Sequence, residues 1–398
     1  MRIVSIRAME KENPLMPKQP ESTKVLNKAE FNRIKEALKY RKKAEMEPAE
    51  GYVPLDLGLF LTPRCNLRCR HCFEWSETGF LHNAEKARTS RELSLELIEA
   101  CLDYTEGAGT RLYLWGGEPL LYSDFHRLCQ LLQKAERWTT VCTNGLLIDR
   151  VLEDLMHVSD HTVLLISLDG FREYNDRIRG TGTFDKVISN IRLLQESGFR
   201  GEISVCTVIG DEMINHLHAF CEYMETLKIN TLYLSFPWYI NDETAEKMDM
   251  EFARRFGDIL PAPPAGTASW HHFKWNISYD RMESLRQEMK RINERTWNIR
   301  VRFQPALEPA EIDDFIRGGM TPAQGSSKCL AVYNRMDVLQ GGEVSACKLF
   351  PEFTVGNLND MTIQEIWEGE KMAEIRKRMK CGLLPVCSKC VLLYLNGE

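Results

Sequence analysis

The chain has 398 residues, a formal net charge of −6 and 27% charged residues, which suits one large domain or two ordinary ones. It has no basic excess to neutralise phosphates, so we expect no nucleic-acid partner. No apolar run approaches the roughly 18 residues of a membrane span and no secretory signal is recognisable, so we expect a cytoplasmic protein without membrane contact.

Residues 1–50 are dominated by charge, and the helix-favouring stretch Asn27 to Met46 predicts an N-terminal helical arm. Short apolar runs rich in β-forming residues then alternate with amphipathic helical patterns. The predicted strands are Val53–Thr62, Arg111–Trp115, Thr139–Cys142, Thr162–Leu168, Glu202–Ile209 and Asn230–Phe236. The predicted helices between them are Ser94–Tyr104, Phe125–Glu136, Phe184–Glu196 and Asn215–Leu227.

This alternation predicts the fold class α/β, with a parallel sheet and crossover helices. Six strand–helix units are fewer than the eight of a complete TIM barrel. We therefore expect a partial (β/α)6 TIM barrel over residues 51–237.

A first cysteine group, Cys65, Cys69 and Cys72, follows the first predicted strand with the spacing C-x3-C-x2-C. Clustered cysteines in a reducing compartment indicate metal or redox chemistry. Iron–sulfur clusters are usually held by four thiolates, so three thiolates would leave one iron open to a ligand. Structural zinc is the alternative, but it normally requires four ligands, and His71 is too close in sequence to serve easily.

Further polar and glycine-rich stretches follow the next strands, at the strand ends where barrel folds place their active sites. The glycines are expected to let the backbone approach a ligand closely. The candidate residues are Gly116, Gly117, Glu118 and Pro119 after the second strand, Asn144 after the third, Ser167 and Asp169 around the end of the fourth, and Arg179.

Together these stretches resemble the motifs of the radical S-adenosylmethionine (SAM) superfamily. The resemblance implies that SAM binds the open iron of a [4Fe–4S] cluster and is split to a 5′-deoxyadenosyl radical that abstracts hydrogen from a substrate. It also implies that the GGEP stretch contacts the SAM amino group and that Arg179 pairs with the SAM carboxylate. The resemblance further implies that a polar residue of the stretch that begins at Ser167 lies near the ribose of SAM.

Residues 238–325 break the alternation and are expected to form a bridging region that caps the barrel mouth. Its aromatic residues are predicted to pack rather than to act chemically, and we assign no general acid or base. The last segment, 326–398, predicts a strand pair, Ala331–Leu339 and Glu343–Cys347, and a helix from Ile363 to about Lys380. Thr362 and Glu365 form a predicted capping box at the start of that helix.

A second cysteine group lies in this last segment and comprises Cys329, Cys347, Cys387 and Cys390. It resembles the SPASM extension of radical SAM enzymes in its short twitch form, which implies a small C-terminal iron–sulfur domain with an auxiliary [4Fe–4S] cluster. A zinc site is the alternative, because four thiolates also satisfy tetrahedral coordination. Cys381 is expected not to be a ligand. The scattered cysteines are expected to be plain buried residues, namely Cys101, Cys129, Cys142, Cys206 and Cys221.

The resemblance favours modification of a ribosomally made peptide or protein, by analogy alone. An oxidation of an aminocyclitol or sugar is the alternative, since the extension is similar to that of 2-deoxy-scyllo-inosamine dehydrogenase. A non-catalytic iron–sulfur or zinc scaffold is a third hypothesis. The expected partners are a peptide or small-molecule substrate, an electron donor such as flavodoxin or ferredoxin, and a separate peptide-recognition protein.

Overall fold

The computed structural model describes residues 52–82, 90–264 and 266–396. The helical arm predicted for residues 1–50 lies outside these ranges. No helix within the described ranges combines the length and the apolar character that crossing a membrane would require.

Ten strands form one sheet in the order β10-β9-β8-β1-β2-β3-β4-β5-β6-β7. From β8 through β1 to β7 neighbouring strands are parallel, whereas β9 pairs antiparallel with both β8 and β10. The strands are β1 Asp56–Phe60, β2 Arg111–Trp115, β3 Thr139–Thr143, β4 Thr162–Ser167, β5 Glu202–Val208, β6 Thr231–Ser235, β7 Arg300–Gln304, β8 Arg335–Val338, β9 Glu343–Ser345 and β10 Thr354–Asn357.

Helices connect these strands and cover the outer face of the sheet. They are α1 Leu95–Tyr104, α2 Phe125–Ala135, α3 Leu152–His157, α4 Arg172–Arg179, α5 Thr183–Glu196, α6 Asp211–Ile214, α7 Leu217–Thr226, α8 Asp242–Phe256, α9 Met282–Glu294, α10 Ile312–Ile316, α11 Ala331–Asn334, α12 Ile363–Trp367, α13 Glu370–Met379 and α14 Val391–Asn396. Ser94 caps the first of them, because its side chain accepts a hydrogen bond from the amide of Leu97 at 3.4 Å.

The partial barrel predicted from the sequence is confirmed, and its six strands are β1 to β6. Alternate residues of β4 are buried and half-buried, which is the period-2 pattern of a strand with one face against the helices and the other turned inward. The parallel sheet is wider than predicted, because β7 joins β6 at one side and β8 joins β1 at the other.

Strand β7 was not predicted from the sequence, because its apolar residues alternate with charged ones. Val301 and Phe303 are buried, whereas Arg300 and Arg302 point to the opposite face. This alternation fits a half-buried strand, but the segment lies within a region whose helices and turns do not repeat the strand–helix rhythm. The predicted bridging region therefore contributes a strand to the sheet.

The C-terminal segment contains the predicted strand pair, but Ala331–Asn334, predicted as the start of its first strand, form the helix α11. β8 and β9 form a hairpin, and the capping box at α12 is present, with Thr362 accepting from the amide of Glu365 at 3.2 Å. The single predicted helix is divided into α12 and α13 at Gly369, whose backbone is extended. A Cβ at Gly369 would lie 2.2 Å from the carbonyl oxygen of Glu365, so this tight junction requires glycine.

Candidate functional site

The first cysteine loop begins where β1 ends, at the carboxyl edge of the parallel sheet. The amide of Cys72 donates to the carbonyl of Cys69 at 3.0 Å, and the amide of Arg70 donates to the carbonyl of Ile178 at 3.0 Å. Cys69 interacts electrostatically with both Cys65 and Cys72, so the three thiols lie close together. Burial raises the pKa of Cys65 and of Cys72 to about 12. The thiols are therefore neutral until a metal displaces their protons.

Gly116 and Gly117 follow β2 and lie against the backbone that leads into this loop. A Cβ on Gly116 would lie 2.4 Å from the carbonyl oxygen of Thr62, and a Cβ on Gly117 would lie 2.4 Å from that of Pro63. The amide of Gly117 donates to the Thr62 carbonyl at 2.8 Å, and Pro119 then starts a single helical turn. The close approach that these glycines permit here is to the backbone of the cysteine loop, and their approach to a ligand stays a prediction.

Gly116→Ala is expected to lower the free energy of unfolding by about 2–5 kcal/mol. Gly116 has a φ of +147° and no room for a Cβ, so both backbone strain and a clash contribute. Gly109→Ala is the matched control, since Gly109 has a φ of +69° with nothing within 4 Å of a Cβ, and only the strain of about 1–2 kcal/mol is expected. Urea unfolding measures the free energy of both variants. Equal losses of unfolding free energy would contradict the close contact assigned to Gly116.

Glu118 connects the end of β2 to the end of β3. Its carboxylate is fully buried and accepts hydrogen bonds from the amide of Leu120 at 3.0 Å, the hydroxyl of Thr143 at 2.6 Å and the amide of Asn144 at 2.7 Å. Burial raises the pKa of Glu118, and these donors oppose that rise. The Asn144 side chain donates to Asn66 of the cysteine loop at 2.8 Å, so both predicted residues support that loop.

Asp169 joins three parts of the site just beyond β4. Its Oδ2 lies 2.6 Å from Nε2 of His71 in the cysteine loop. Its Oδ1 accepts from Nη2 of Arg179 at 3.0 Å and from the amide of Val208 at 3.0 Å. Asp169 has no exposed surface, so it acts as an internal connection between the cysteine loop, α4 and the end of β5.

Arg179 is the last residue of α4 and is buried. Its Nε lies 2.7 Å from Oδ2 of Asp169, without the angle of a hydrogen bond, and its Nη1 lies 3.9 Å from Sγ of Cys69. Burial opposes ionisation of both partners, but their mutual attraction outweighs it, holding the pKa of Asp169 below and that of Arg179 above the ordinary range. A fixed positive charge therefore lies beside the first cysteine group.

Aromatic residues of the bridging region lie over the cysteine loop. Trp275 contacts His71 edge to face, with ring centroids 5.9 Å apart. Phe273 stacks on Phe73, one residue after the cysteine group, at 4.6 Å. Trp270 is fully buried. The predicted packing role of this region agrees with these contacts, and its capping of the barrel mouth stays a prediction.

The four C-terminal cysteines converge, although they are distant in sequence. Each of them interacts electrostatically with each of the other three, and burial raises the pKa of Cys329 to about 11. Cys387 and Cys390 lie in and directly after a turn that Pro385 begins, with the amide of Cys390 donating to the Cys387 carbonyl at 3.0 Å. Cys381 is exposed and takes no part in these interactions.

The inward face of the sheet, called the lumen of the barrel below, carries half-buried side chains of β2, β3 and β5. Tyr113, Cys142 and Cys206 lie on this face, surrounded by protein yet retaining accessible surface. The prediction that Cys142 and Cys206 are plain buried residues is therefore wrong, because strand alternation turns them inward while their apolar sequence neighbours face the helices. For three of the scattered cysteines burial is confirmed, namely Cys101, Cys129 and Cys221.

Two charged residues of this region were missed by the sequence analysis. Glu74 is buried, and its Oε1 has no hydrogen-bond partner; burial raises its pKa to about 8, partly offset by Lys348. Burial, with Arg335 nearby, lowers the pKa of Lys348 to about 8. Their positions could have drawn attention, since Glu74 follows Cys72 by two residues and Lys348 follows Cys347 directly.

The thiol chemistry fits iron–sulfur clusters. One group of three and one group of four clustered thiols match the ligand type of such clusters, and a guanidinium beside Cys69 suits a negatively charged cluster and ligand. In the part of the chain that the structure describes, no group of three or more His, Cys, Asp or Glu side chains is arranged to hold a single metal ion.

Comparison with known proteins gives two family matches. Residues 59–224 match the radical SAM superfamily, and residues 329–391 match an iron–sulfur cluster-binding domain, SPASM. Fe-coproporphyrin III synthase of Methanosarcina barkeri is 27% identical over 50% of this chain and 49% of its own length. Mycofactocin maturase MftC of Mycolicibacterium smegmatis is 31% identical over 45% of each chain. This chain thus spans about half the length of these relatives.

A solved structure shares the fold over most of the chain. Streptococcus suis SuiB bound to precursor peptide SuiA superposes with a TM-score of 0.58 at 18% identity, covering 87% of this chain and 71% of that one. SuiB has also been solved bound to S-adenosylmethionine. At this identity the likeness establishes the fold alone.

Proposed function

The chain belongs to the radical SAM superfamily and carries its SPASM extension, and from that premise we propose that it generates a 5′-deoxyadenosyl radical for hydrogen abstraction. The cofactors of this architecture are SAM and iron–sulfur clusters, which when bound supply the reductive cleavage of SAM. The observation that carries the proposal is the convergence of Cys65, Cys69 and Cys72 at the strand ends, beside the buried pair of Asp169 and Arg179.

In this proposal the three thiolates hold the SAM-binding cluster, and nearby residues orient SAM. Arg179 places a guanidinium 3.9 Å from Cys69, where it can pair with the SAM carboxylate, and Asp169 keeps that guanidinium in place. Asn144 and Ser167, at the ends of β3 and β4, are proposed to contact the rest of SAM. The Gly116–Pro119 stretch is proposed to contact the amino group through the backbone of its half-buried glycines, because the Glu118 carboxylate is already bonded internally.

The four C-terminal cysteines are proposed to hold an auxiliary [4Fe–4S] cluster. Four converging thiols leave no iron of such a cluster without a protein ligand, so its proposed role is to carry electrons to or from the substrate. Zinc is the alternative for this group, and iron analysis separates the two. An electron donor such as flavodoxin or ferredoxin is proposed as a partner.

A ribosomally made peptide is the proposed substrate class. Two similarities support it, namely a sequence match to a mycofactocin maturase and a shared fold with SuiB, a protein solved with its precursor peptide. A separate peptide-recognition protein would then assist. A tetrapyrrole is the second candidate, favoured by the match to Fe-coproporphyrin III synthase. Oxidation of an aminocyclitol or sugar, and a non-catalytic scaffold, stay as predictions.

Anaerobic reconstitution with iron and sulfide, followed by dithionite and SAM, tests the proposed activity. Formation of 5′-deoxyadenosine is expected, with about eight iron atoms per chain, four for each cluster. Absence of 5′-deoxyadenosine from a preparation that holds this iron would refute the radical chemistry. About four iron atoms with one zinc would refute the auxiliary cluster alone.

Cys390→Ser is expected to lower the iron content from about eight to about four atoms per chain while uncoupled formation of 5′-deoxyadenosine continues. The reason is that Cys390 belongs to the C-terminal group and not to the loop that binds SAM. Cys381→Ser is the control, because Cys381 is exposed, and it should keep all of its iron. If Cys381→Ser lost iron and Cys390→Ser kept it, Cys381 and not Cys390 would be the cluster ligand.

A further inference from the structure

The lumen of the barrel contains a lysine that is placed to receive a ligand. Lys348 follows Cys347 of the C-terminal cysteine group, and its Nζ lies 3.9 Å from the ring centroid of Tyr113 and 5.6 Å from that of Trp115. Both rings belong to β2, whose carboxyl end lies beside the first cysteine loop. Lys348 therefore lies between the two cysteine groups.

The Lys348 ammonium has aromatic faces around it and no acceptor. Within the described ranges it makes no ion pair within 4.0 Å and no hydrogen bond. A second cationic side chain, Arg335, also lies over the ring of Tyr113, with its Cζ 5.5 Å from the ring centroid. Arg335 is neutralised by Asp337, with two contacts of 2.7 Å. Lys348 is half-buried, so its ammonium is largely withdrawn from bulk water yet keeps accessible surface through which a partner can reach it.

Two further polar groups near Lys348 lack partners. Oε1 of Glu74 and Nε1 of Trp115 are both buried without a hydrogen bond from any described residue. Glu74 attracts Lys348 electrostatically, but among the described residues the two side chains form no ion pair. Together these groups offer donors from Lys348 and Trp115 and an acceptor from Glu74. Trp115 packs against the same small apolar cluster as Cys65 and Cys72, which places these groups next to the first cysteine group.

We propose that this lumen binds a carboxylate of the substrate, with Lys348 as its ion-pair partner and Glu74 as acceptor for a neighbouring N–H group. The inference rests on the proposed function for its substrate. A carboxylate suits one ammonium, because its single negative charge balances the single positive charge of Lys348. The same chemistry can come from an acidic side chain of a peptide or from a propionate of a tetrapyrrole.

The test compares acids with their esters on reconstituted wild-type protein. The peptide probe is N-acetyl-glutamic acid α-amide with its γ-methyl ester, followed by saturation-transfer NMR. The tetrapyrrole probe is coproporphyrin III with its tetramethyl ester, followed by equilibrium dialysis. We expect at least one acid to bind about tenfold or more tightly than its ester, since the ester loses the charge-assisted bond. The acid that binds identifies the source.

Variants connect the acid preference to this lysine. Lys348→Met keeps the apolar stem and should abolish the preference, and Lys348→Arg should retain it. Lys186→Met is the control, because Lys186 pairs with Asp149 on the outer surface and should behave as wild type. No preference in the wild-type protein for either probe, or an unchanged preference in Lys348→Met, would overturn the inference.

The wild-type comparison of acid with ester needs no variant, so the test survives a Lys348→Met protein that fails to fold. Uncoupled 5′-deoxyadenosine is measured on the same preparations. Its formation without an acid preference would refute the carboxylate site alone. An acid preference without any 5′-deoxyadenosine would refute the proposed chemistry and leave the binding site standing.

Discussion

Cys69→Ala is expected to abolish 5′-deoxyadenosine formation, with a loss of at least several hundredfold and iron falling from about eight to about four atoms per chain. Cys69 is the central thiol of the first group, since it interacts with Cys65, with Cys72 and with Nη1 of Arg179. Two remaining thiolates are too few to hold a cluster that still has an open iron for SAM.

The matched control for this change is Cys101→Ala, which removes a thiol that is fully buried on α1. It should keep both the iron and the product, although packing around α1 is weakened. Iron analysis and chromatography of the SAM cleavage products measure both variants after anaerobic reconstitution. A Cys69→Ala protein that still produced 5′-deoxyadenosine at the wild-type rate would exclude the loop as the SAM-binding cluster site.

Asp169→Asn is expected to lower the free energy of unfolding by about 3–5 kcal/mol, the usual cost of leaving a buried charge without its partner. The substitution keeps the size of the side chain but removes the charge that neutralises Arg179. It also weakens the contact to His71, which now spans 2.6 Å to Oδ2. Because Arg179 and the cysteine loop are then less firmly held, SAM affinity should fall at least tenfold.

Asp185→Asn is the control for Asp169→Asn, because Asp185 pairs with Arg172 on the surface, where both side chains are more than half exposed. Exposed pairs contribute about 0–1 kcal/mol, so little change in stability and none in SAM affinity is expected. Chemical denaturation of the unreconstituted proteins gives the stability, and equilibrium dialysis with SAM gives the affinity. Similar stability losses in both variants would show that the buried network around Asp169 contributes no more than a surface pair.

The sequence by itself determined the partial barrel, because apolar runs of strand length alternate with amphipathic helices and only a parallel sheet accommodates that order. It also determined the first cysteine group, since its spacing and its place after β1 are local features, whereas the second group was identified by its resemblance to the SPASM extension. The capping box of Thr362 and Glu365 also depends only on residues close together in sequence, and the structure contains it.

Only the tertiary structure decided the contacts that depend on distant segments. Arg179 and His71 could not be joined to Asp169 from the sequence, because 98 positions separate His71 from Asp169 and the fold alone brings the cysteine loop to the end of β4. The inward orientation of Cys142 and Cys206 likewise follows from which face of each strand the helices cover. Lys348 reaches the rings of β2 because β8 pairs with β1, a pairing between segments at opposite ends of the described chain that no local pattern encodes.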